Sequence, residues 1–402
     1  MGLNGQQSPD SPAVVLVTGA SRYLGSRLAA RLAADPAIQR VIAVDTVPPS
    51  RELRTLLGRT EFVRADIRNP LISKVIAAAR VDTVVHLNIT ATPSGSGGRA
   101  SMKEMNVIGT MQLLAACQKS ATVRRFVLKS TTAVYGSSPR DPALFTEDMT
   151  PKGLPHSGYA KDAVEVEGYV RGFGRRRPDV SITVLRFTNF IGPRVDSALT
   201  RYFSLMAVPT VFGYDPRVQL VHEDDAVEVL RLAAVRSQPG VVNVGGSGVL
   251  LLSQAIRRAG RFAVPVPLLA VQPVARAVRR AGLVDFSPEQ ARFLEFGRVV
   301  DTGRLRTDFG YVPKYTTAEA FDDFLRSRGL RPMAEPAVLR SAERAALAVL
   351  GRVGTAVGPA LRVPGARLPA LRVPDQVSPG IGRLGSDAVT VGGRTKGRRG
   401  HG

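Results

Sequence analysis

The sequence has almost no cysteine, no tryptophan and no long hydrophobic run. Its single cysteine, Cys117, excludes a disulfide framework within the chain and is typical of a reducing compartment. Cys117 lies in an apolar helical pattern, which favours a buried small side chain over a nucleophile. No apolar run reaches the roughly 18 residues of a membrane span. Residues 1–12 are polar and unlike a secretory signal, so we expect a disordered N-terminus and a cytoplasmic protein.

Acidic residues are scarce relative to basic ones. The chain has 55 basic and 33 acidic side chains, a formal net charge of +22. A charge of this size is common in proteins that bind nucleic acid. The excess is spread along the chain, however, and is almost entirely arginine, with only eight lysines. No zinc-finger spacing, RNA-recognition motif or concentrated basic helix accompanies it, so charge alone does not predict nucleic-acid binding as the main role.

The first half of the chain alternates short apolar, β-branched runs with helical patterns. The strand candidates are residues 13–17, 41–45, 60–65, 83–87, 125–129 and 182–187. The helix candidates are residues 25–34, 71–79, 101–118 and 159–175. Continuous apolar strands that alternate with helices predict an α/β fold, a parallel sheet with helices on both faces. Six strands in this rhythm predict a doubly wound domain over residues 13–192.

The second half has a less regular rhythm. Short strand candidates at 210–212, 219–221 and 241–244 alternate with helices at 224–235 and 253–261, and a Pro-punctuated apolar stretch follows at 262–272. The region closes with residues 300–305 and a helix at 317–328. We expect a smaller α/β substrate domain over residues 193–330, interleaved with the first domain and covering the carboxyl edge of the sheet.

Residues 331–402 differ in composition from the rest. They contain twelve basic and four acidic residues, and the sequence ALRVP occurs twice. This composition predicts a basic, mostly disordered tail with one helical segment at 336–353. Two readings stay open: a solvated tail, or a basic segment that contacts anionic lipid or nucleic acid.

A strand–turn–helix at residues 13–34 has the form of a phosphate-binding turn. Gly19 permits a tight turn out of the strand, and Gly25 lets the helix pack close to the sheet. The start of the helix offers N–H groups and a positive dipole end to a pyrophosphate. Twenty residues after Gly25, Asp45 ends the second strand, where a carboxylate accepts hydrogen bonds from an adenosine ribose. Together these features predict a Rossmann domain that binds a dinucleotide.

Over residues 13–329 these motifs resemble the extended short-chain dehydrogenase/reductases, the NAD-dependent epimerase/dehydratases such as UDP-glucose 4-epimerase. Extended members read TGxxGxxG and compact members TGxxxGxG, whereas here Arg22 and Tyr23 occupy the two possible middle-glycine positions. Arg22 would supply a cation to the pyrophosphate. The resemblance implies NAD as the cofactor, and NADP is less favoured because Asp45 would repel its 2′-phosphate.

The resemblance also implies which residues line the two ligands. The motifs are DI, VVHL, NVIGT, LRFTN with GP, RVQLVHEDD and DTGRLRTDFG, in the family's order. The residues implied to bind the cofactor are Gly19, Arg22, Tyr23, Leu24, Gly25, Asp45, Asp66, Ile67, His86, Leu87 and Asn106. Asn189 and Arg217 are implied to face the substrate. Family members often dimerise through helices equivalent to residues 106–118 and 159–175, so the resemblance also implies a homodimer.

The catalytic groups implied by the resemblance are a Ser or Thr, a Tyr, and a Lys four residues after the Tyr. The tyrosine exchanges the hydroxyl proton, the lysine lowers the pKa of the tyrosine and binds the nicotinamide ribose, and the Ser or Thr orients the substrate oxygen. The segment STTAVYG places Thr131 in the hydroxyl role. Tyr159 is the tyrosine candidate, but position 163 is alanine.

Two other lysines are candidates for the missing ammonium. Taking Lys161 as the motif lysine puts Ser157 in the tyrosine position, and Lys161 lies about 200° around a helix from Tyr159. Lys129 precedes Thr131 by two residues, so strand alternation puts both side chains on one face. His156 is a further candidate for relaying a proton.

Two hypotheses follow. One is an NAD-dependent epimerase, dehydratase or reductase that acts on a nucleotide sugar or a similar hydroxyl substrate, with Tyr159 as acid/base. The other is a catalytically degenerate dinucleotide-binding sensor or scaffold, which the altered glycine loop and Ala163 favour.

Overall fold

The structure is a computed structural model that describes residues 12–91, 98–149, 158–280 and 288–330. Expectations for residues 1–11, for His156 and Ser157, and for the basic tail at 331–402 concern parts of the chain outside this range. Among the described helices, none is long and apolar enough to cross a membrane.

Strands and helices follow one another closely along the described residues. The strands are β1 Val14–Thr18, β2 Arg40–Asp45, β3 Glu61–Arg64, β4 Thr83–His86, β5 Arg125–Thr131, β6 Ser181–Phe187, β7 Asn189–Ile191, β8 Ala207–Val211, β9 Arg217–Val218, β10 Leu220–His222, β11 Gly240–Val244, β12 Leu250–Leu251 and β13 Phe262–Val266. The helices are α1 Tyr23–Ala33, α2 Arg51–Leu56, α3 Ile72–Ala79, α4 Gly98–Lys103, α5 Gly109–Lys119, α6 Gly158–Arg176, α7 Ala198–Ser204, α8 Glu223–Val235, α9 Leu252–Arg258, α10 Val271–Arg280, α11 Pro288–Phe296, α12 Gly303–Thr307 and α13 Thr317–Ser327.

A seven-stranded parallel sheet forms the centre of the fold, in the order β11-β6-β5-β4-β1-β2-β3. The order reverses between β1 and β4, which creates the crevice where doubly wound folds bind ligands. Val15, Leu16 and Val17 have no exposed surface because helices cover both faces of β1. Burial of each such side chain contributes about 1.5–3 kcal/mol. The predicted Rossmann fold is confirmed.

Two apolar clusters cover the two faces of this sheet. One includes Leu28 and Leu32 of α1 together with Val229 and Leu230 of α8. The other includes side chains of α3, α5 and α6. The helix predicted at 101–118 is built from α4 and α5, joined through a π-helical stretch, Glu104–Ile108.

One detail differs from the sequence-based expectations. The strand expected at 241–244 in the second domain is β11, which pairs with β6 as the seventh strand of the main sheet. A periodicity pattern does not show which sheet a short strand joins. Within residues 300–305, Asp301 Oδ1 accepts from Gly303 N at 2.6 Å, and α12 begins at Gly303.

A third apolar cluster holds together the short elements beyond residue 190. It includes Tyr202 and Phe203 of α7 together with Phe321 and Phe324 of α13. Three two-stranded sheets accompany it, β10-β7, β12-β9 and β13-β8.

Candidate active site

The turn after β1 requires glycine at two positions, Gly19 and Gly25. Gly19 has φ +73°, and its N–H donates to Val44 O at 3.0 Å. A Cβ on Gly25 would lie 2.2 Å from Gly19 O, which is far inside van der Waals contact. The helix α1 therefore starts directly against the turn, with Arg22 as its N-cap residue and Leu24 partly buried against the core. This backbone presents helix N–H groups to the crevice, where an anion binds favourably.

Asp45 stands at the carboxyl end of β2, beside this turn. Its carboxylate accepts from Ser21 N at 3.0 Å and from Thr46 N at 2.7 Å. These backbone donors fix the orientation of a carboxylate that remains partly exposed at the sheet edge. The arrangement can accept hydrogen bonds from a ribose diol, as the sequence predicts.

Tyr23 connects the phosphate turn to α8. Its hydroxyl donates to Glu223 Oε1 at 2.8 Å and accepts from Arg27 Nη1 at 2.9 Å. Burial and the neighbouring Glu223 raise the pKa of Tyr23 to about 12. Glu223 is buried, and it also accepts from Arg194 N at 3.1 Å. Sequence motifs alone do not single out Glu223, whose signal is its place in the acidic run at residues 223–225.

His86 is a buried bridge between β1 and α5. Its ring nitrogens bond Thr18 Oγ1 at 2.7 Å and Thr110 Oγ1 at 2.9 Å. Burial, with a smaller contribution from the charge of Lys129, lowers the pKa of His86 to about 3. The neutral ring has no exposed surface for a cofactor. The backbone next to it, at Leu87, is held in place because Leu87 N donates to Thr18 Oγ1 at 3.2 Å.

Asn106 holds the segment that follows β4. Its side chain bonds both the N–H and the carbonyl of Thr90, each at 3.0 Å, and donates to Asp162 at 3.2 Å. Asp162 has no exposed surface and pairs with Arg99 at 2.6 Å. The structure thus uses Asn106 to position the backbone of the crevice wall.

The pair expected beside the adenine lies after β3. Asp66 is one-third exposed and accepts from Arg68, which lowers the pKa of Asp66. Ile67 is buried and packs closely against Gly109 at the start of α5.

Thr131 lies at the carboxyl end of β5, and α6 is fixed next to it. Thr131 Oγ1 accepts from Ala133 N at 3.2 Å. The buried Glu167 of α6 accepts from Ser130 Oγ at 2.6 Å and from Arg186 Nη2 at 2.7 Å. One turn before Glu167, Ala163 packs on Val134, just after β5. A further turn toward the start of α6, Tyr159 is partly buried and packs against the apolar cluster that includes side chains of α3, α5 and α6.

Position 163 is closed to a charged side chain. Ala163 has no exposed surface and belongs to an apolar cluster with Val134, Tyr135, Phe145 and Val300. Lys161 points elsewhere on the regular helix α6. Its side chain is 46% exposed, and it pairs with Glu165 at 3.9 Å. The structure therefore does not bring Lys161 to the face that carries Tyr159.

Lys129 reaches into the crevice from β5. Its ammonium donates to Ile89 O at 2.8 Å and lies 5.8 Å from the centre of the Phe190 ring. Burial, with a contribution from the charge of Arg22, lowers the pKa of Lys129 to about 7.

The two residues expected to face the substrate come from short strands. Asn189 begins β7 and is partly buried, and it is aligned with Leu220 of β10. Arg217 begins β9 and is exposed.

Comparisons with known proteins agree with this fold. Residues 15–245 match the model of the NAD dependent epimerase/dehydratase family. An uncharacterized protein of Mycobacterium tuberculosis is 52% identical over 349 residues, which cover 87% of this chain and 93% of that protein. A UDP-glucose 4-epimerase of Yersinia pestis is 29% identical over 186 residues, 44% of this chain and 53% of that protein.

Solved structures have the same fold. The UDP-glucose 4-epimerase of Thermotoga maritima aligns with a TM-score of 0.61 at 21% identity, over 79% of this chain and 98% of that one. A UDP-glucuronic acid 4-epimerase of Bacillus cereus in complex with NAD aligns with a TM-score of 0.60 at 21% identity, over 79% and 99% of the two chains. The chain belongs to the NAD-dependent epimerase/dehydratase family, and its cofactor is NAD.

Proposed function

We propose that the protein is an oxidoreductase of the epimerase/dehydratase type that acts on a nucleotide sugar or a similar hydroxyl substrate, with Tyr159 as acid/base. The observation that carries this proposal is the bonding of Glu167 to Ser130 and Arg186, which fixes α6 on β5. With α6 held in this way, Tyr159 near the start of α6 is the candidate to act together with Thr131 at the end of β5.

The site fits NAD. Gly25 lets the start of α1 lie directly against the backbone of Gly19, so that helix N–H groups are available to a pyrophosphate, and Asp45 presents a fixed carboxylate beside this turn. When bound, NAD supplies the acceptor and donor of hydride. Tyr159 would take the proton of the substrate hydroxyl as the C–H bond is oxidised and return it on reduction. The Thr131 hydroxyl would orient the substrate oxygen.

A nucleotide sugar is supported by two features. The solved neighbours include epimerases whose complexes hold UDP-glucose or UDP-glucuronic acid. In this chain Arg217 presents an exposed cation, which suits the phosphates of a nucleotide, and Asn189 offers an amide at the end of the main sheet.

The test is turnover by the purified chain with NAD and a panel of UDP- and dTDP-sugars, followed by NMR of the sugar product. Loss of a positioned acid/base lowers turnover by about 10²–10⁴-fold, so Tyr159→Phe is expected to do so. Tyr169→Phe is the matched control, because Tyr169 lies on the same helix and is 38% exposed. Full turnover by Tyr159→Phe would show that the assigned mechanism is wrong.

A second candidate function is a dinucleotide-binding sensor or scaffold without turnover. The buried Ala163 and the Arg22 side chain at the phosphate turn favour it. Calorimetric binding of NAD with no product from any sugar nucleotide would support this second function. Robust turnover would rule it out.

A homodimer is part of the proposal. The helices α5 and α6 pack side by side, and Met111 on α5 is left 40% exposed. Sedimentation velocity of the full chain, with Met111→Glu as the variant, tests this surface. A monomer at all concentrations of the unmodified chain would contradict it.

A further inference from the structure

We propose that Lys129 supplies the cation at the nicotinamide end of the cofactor site, where it binds the nicotinamide ribose in place of a lysine one turn after Tyr159. This inference rests on the proposed function only for the orientation of the cofactor, and its test does not need turnover.

Positions 163 and 161 on α6 do not supply this cation. Ala163 has no exposed surface and belongs to an apolar cluster, so position 163 supplies no cation one turn after Tyr159. Lys161 is directed toward solvent and Glu165. Among the lysines in the described part of the chain, Lys129 is the one whose side chain is not exposed.

A second observation is the place of Lys129 in the sheet. It lies on β5, two residues before Thr131, and successive strand residues alternate between faces. Both side chains therefore leave the strand on one side, at the edge where doubly wound folds bind their ligands.

A third observation is the set of neighbours around the ammonium. Ile89 follows β4, Phe190 lies in β7 directly after β6, and Arg22 caps the helix after β1. These residues come from the carboxyl ends of adjacent elements, so Lys129 lies where the crevice walls converge. An ammonium has three N–H donors, and the bond to Ile89 O engages one of them.

Charged and titratable neighbours of Lys129 influence its protonation. The charged and titratable groups that act on or through Lys129 are Arg22 on the phosphate turn and His86 on β4, and Asp45 in turn acts on Arg22. Burial and Arg22 hold the pKa of Lys129 at about 7. A hydroxyl of the nicotinamide ribose that accepts a hydrogen bond from the Lys129 ammonium favours the protonated amine. NAD binding should therefore be accompanied by proton uptake above pH 7.

The experiment compares NAD with ADP, which lacks the nicotinamide riboside, by calorimetry on the full chain. We expect Lys129→Met to weaken NAD binding about 10-fold or more, the range of a charge-assisted hydrogen bond, and to leave ADP binding unchanged. At pH 8, in buffers of different ionisation enthalpy, the unmodified chain should take up a proton with NAD and Lys129→Met should not. An equal loss for NAD and ADP would overturn the proposal.

A second variant separates charge from folding. Lys129→Cys can be alkylated with 2-bromoethylamine, which restores an ammonium on a side chain of lysine length. The native Cys117 has no exposed surface, and burial raises the pKa of its thiol to about 12, so it should not react. Alkylation should restore at least half of the lost NAD affinity. No recovery in a folded, fully alkylated protein would contradict the role of the ammonium.

These outcomes are independent of the proposed reaction. If no sugar nucleotide turns over, but Lys129→Met selectively weakens NAD, the function fails and this inference holds. If turnover occurs and Lys129→Met binds NAD normally, the function holds and this inference fails.

Discussion

The two ends of the cofactor crevice differ in how closely they follow the family pattern. At the adenosine end, Gly19, Gly25 and Asp45 stand in the expected places with the expected geometry. At the proposed nicotinamide end, alanine stands at position 163, where the family pattern has a lysine, and the ammonium that we propose for the ribose belongs to Lys129 on another element. A family-like adenosine end therefore does not by itself establish that the dinucleotide is used in a reaction at the other end.

The largest effect is expected from Gly25→Ala at the adenosine end. The added Cβ would meet Gly19 O at 2.2 Å, so the start of α1 must move away from the turn, and loss of one charge-assisted hydrogen bond to the pyrophosphate, about 1.5–3 kcal/mol, should lower NAD affinity about 10–100-fold. Calorimetry with NAD measures it. Gly168→Ala on α6 is the control, because its Cβ would meet only Arg171 Nη2 at 3.9 Å. If Gly25→Ala binds NAD as the control does, the phosphate-binding turn is misassigned.

Asp45→Asn should lower NAD affinity less than Gly25→Ala does. It removes the charge of an acceptor of ribose hydrogen bonds, a loss of about 1 kcal/mol, but keeps a neutral side-chain oxygen for Ser21 N. The ratio of NAD to NADP affinity should fall as well, since the carboxylate no longer repels a 2′-phosphate. Glu61→Gln at the start of β3, where the exposed Glu61 pairs with Arg40, is a control expected to leave the ratio unchanged. An unchanged ratio in Asp45→Asn would contradict the placement of the ribose.

Tyr23→Phe tests the connection between the phosphate turn and α8. It removes the hydroxyl that donates to the buried Glu223, which should lower the free energy of unfolding by about 1–3 kcal/mol. Urea denaturation of this variant and of Tyr169→Phe, an exposed tyrosine, measures the difference. Equal stabilities would show that the Tyr23–Glu223 bond contributes nothing.

The smallest effect concerns His86, below the nicotinamide end. Its folded pKa is about 3, whereas that of an unfolded histidine is about 6.5, so below pH 6.5 only the unfolded chain binds the proton. Stability should therefore fall as the pH drops from 6.5 toward 3, by at most about 1.4 kcal/mol per unit. Denaturation at pH 7 and 5.5 should show a larger loss for the unmodified chain than for His86→Gln. Identical losses would mean that His86 is protonated in the folded state.

The sequence predicted the main sheet well because its strands are continuous apolar runs buried on both faces. Gly19, Gly25 and Asp45 were predictable because they act through local backbone geometry at fixed spacing. The bond between Tyr23 and Glu223 was not, since it joins residues 200 positions apart through packing of α1 on α8. The place of β11 in the main sheet likewise depends on pairing with β6 rather than on its own pattern.

The role proposed for Lys129 was predictable from the sequence only in part. Strand alternation placed it on the face of Thr131, but only the folded chain shows its ammonium at Ile89 O and the closure of position 163.

The most direct test of the two-ended account is a crystal structure of the chain with bound NAD. The account predicts the pyrophosphate on the turn at Gly19–Gly25, the adenosine ribose on Asp45, and Lys129 Nζ within hydrogen-bond distance of a nicotinamide ribose hydroxyl. A nicotinamide ribose held by other groups, with the Lys129 ammonium turned away from it, would contradict the account.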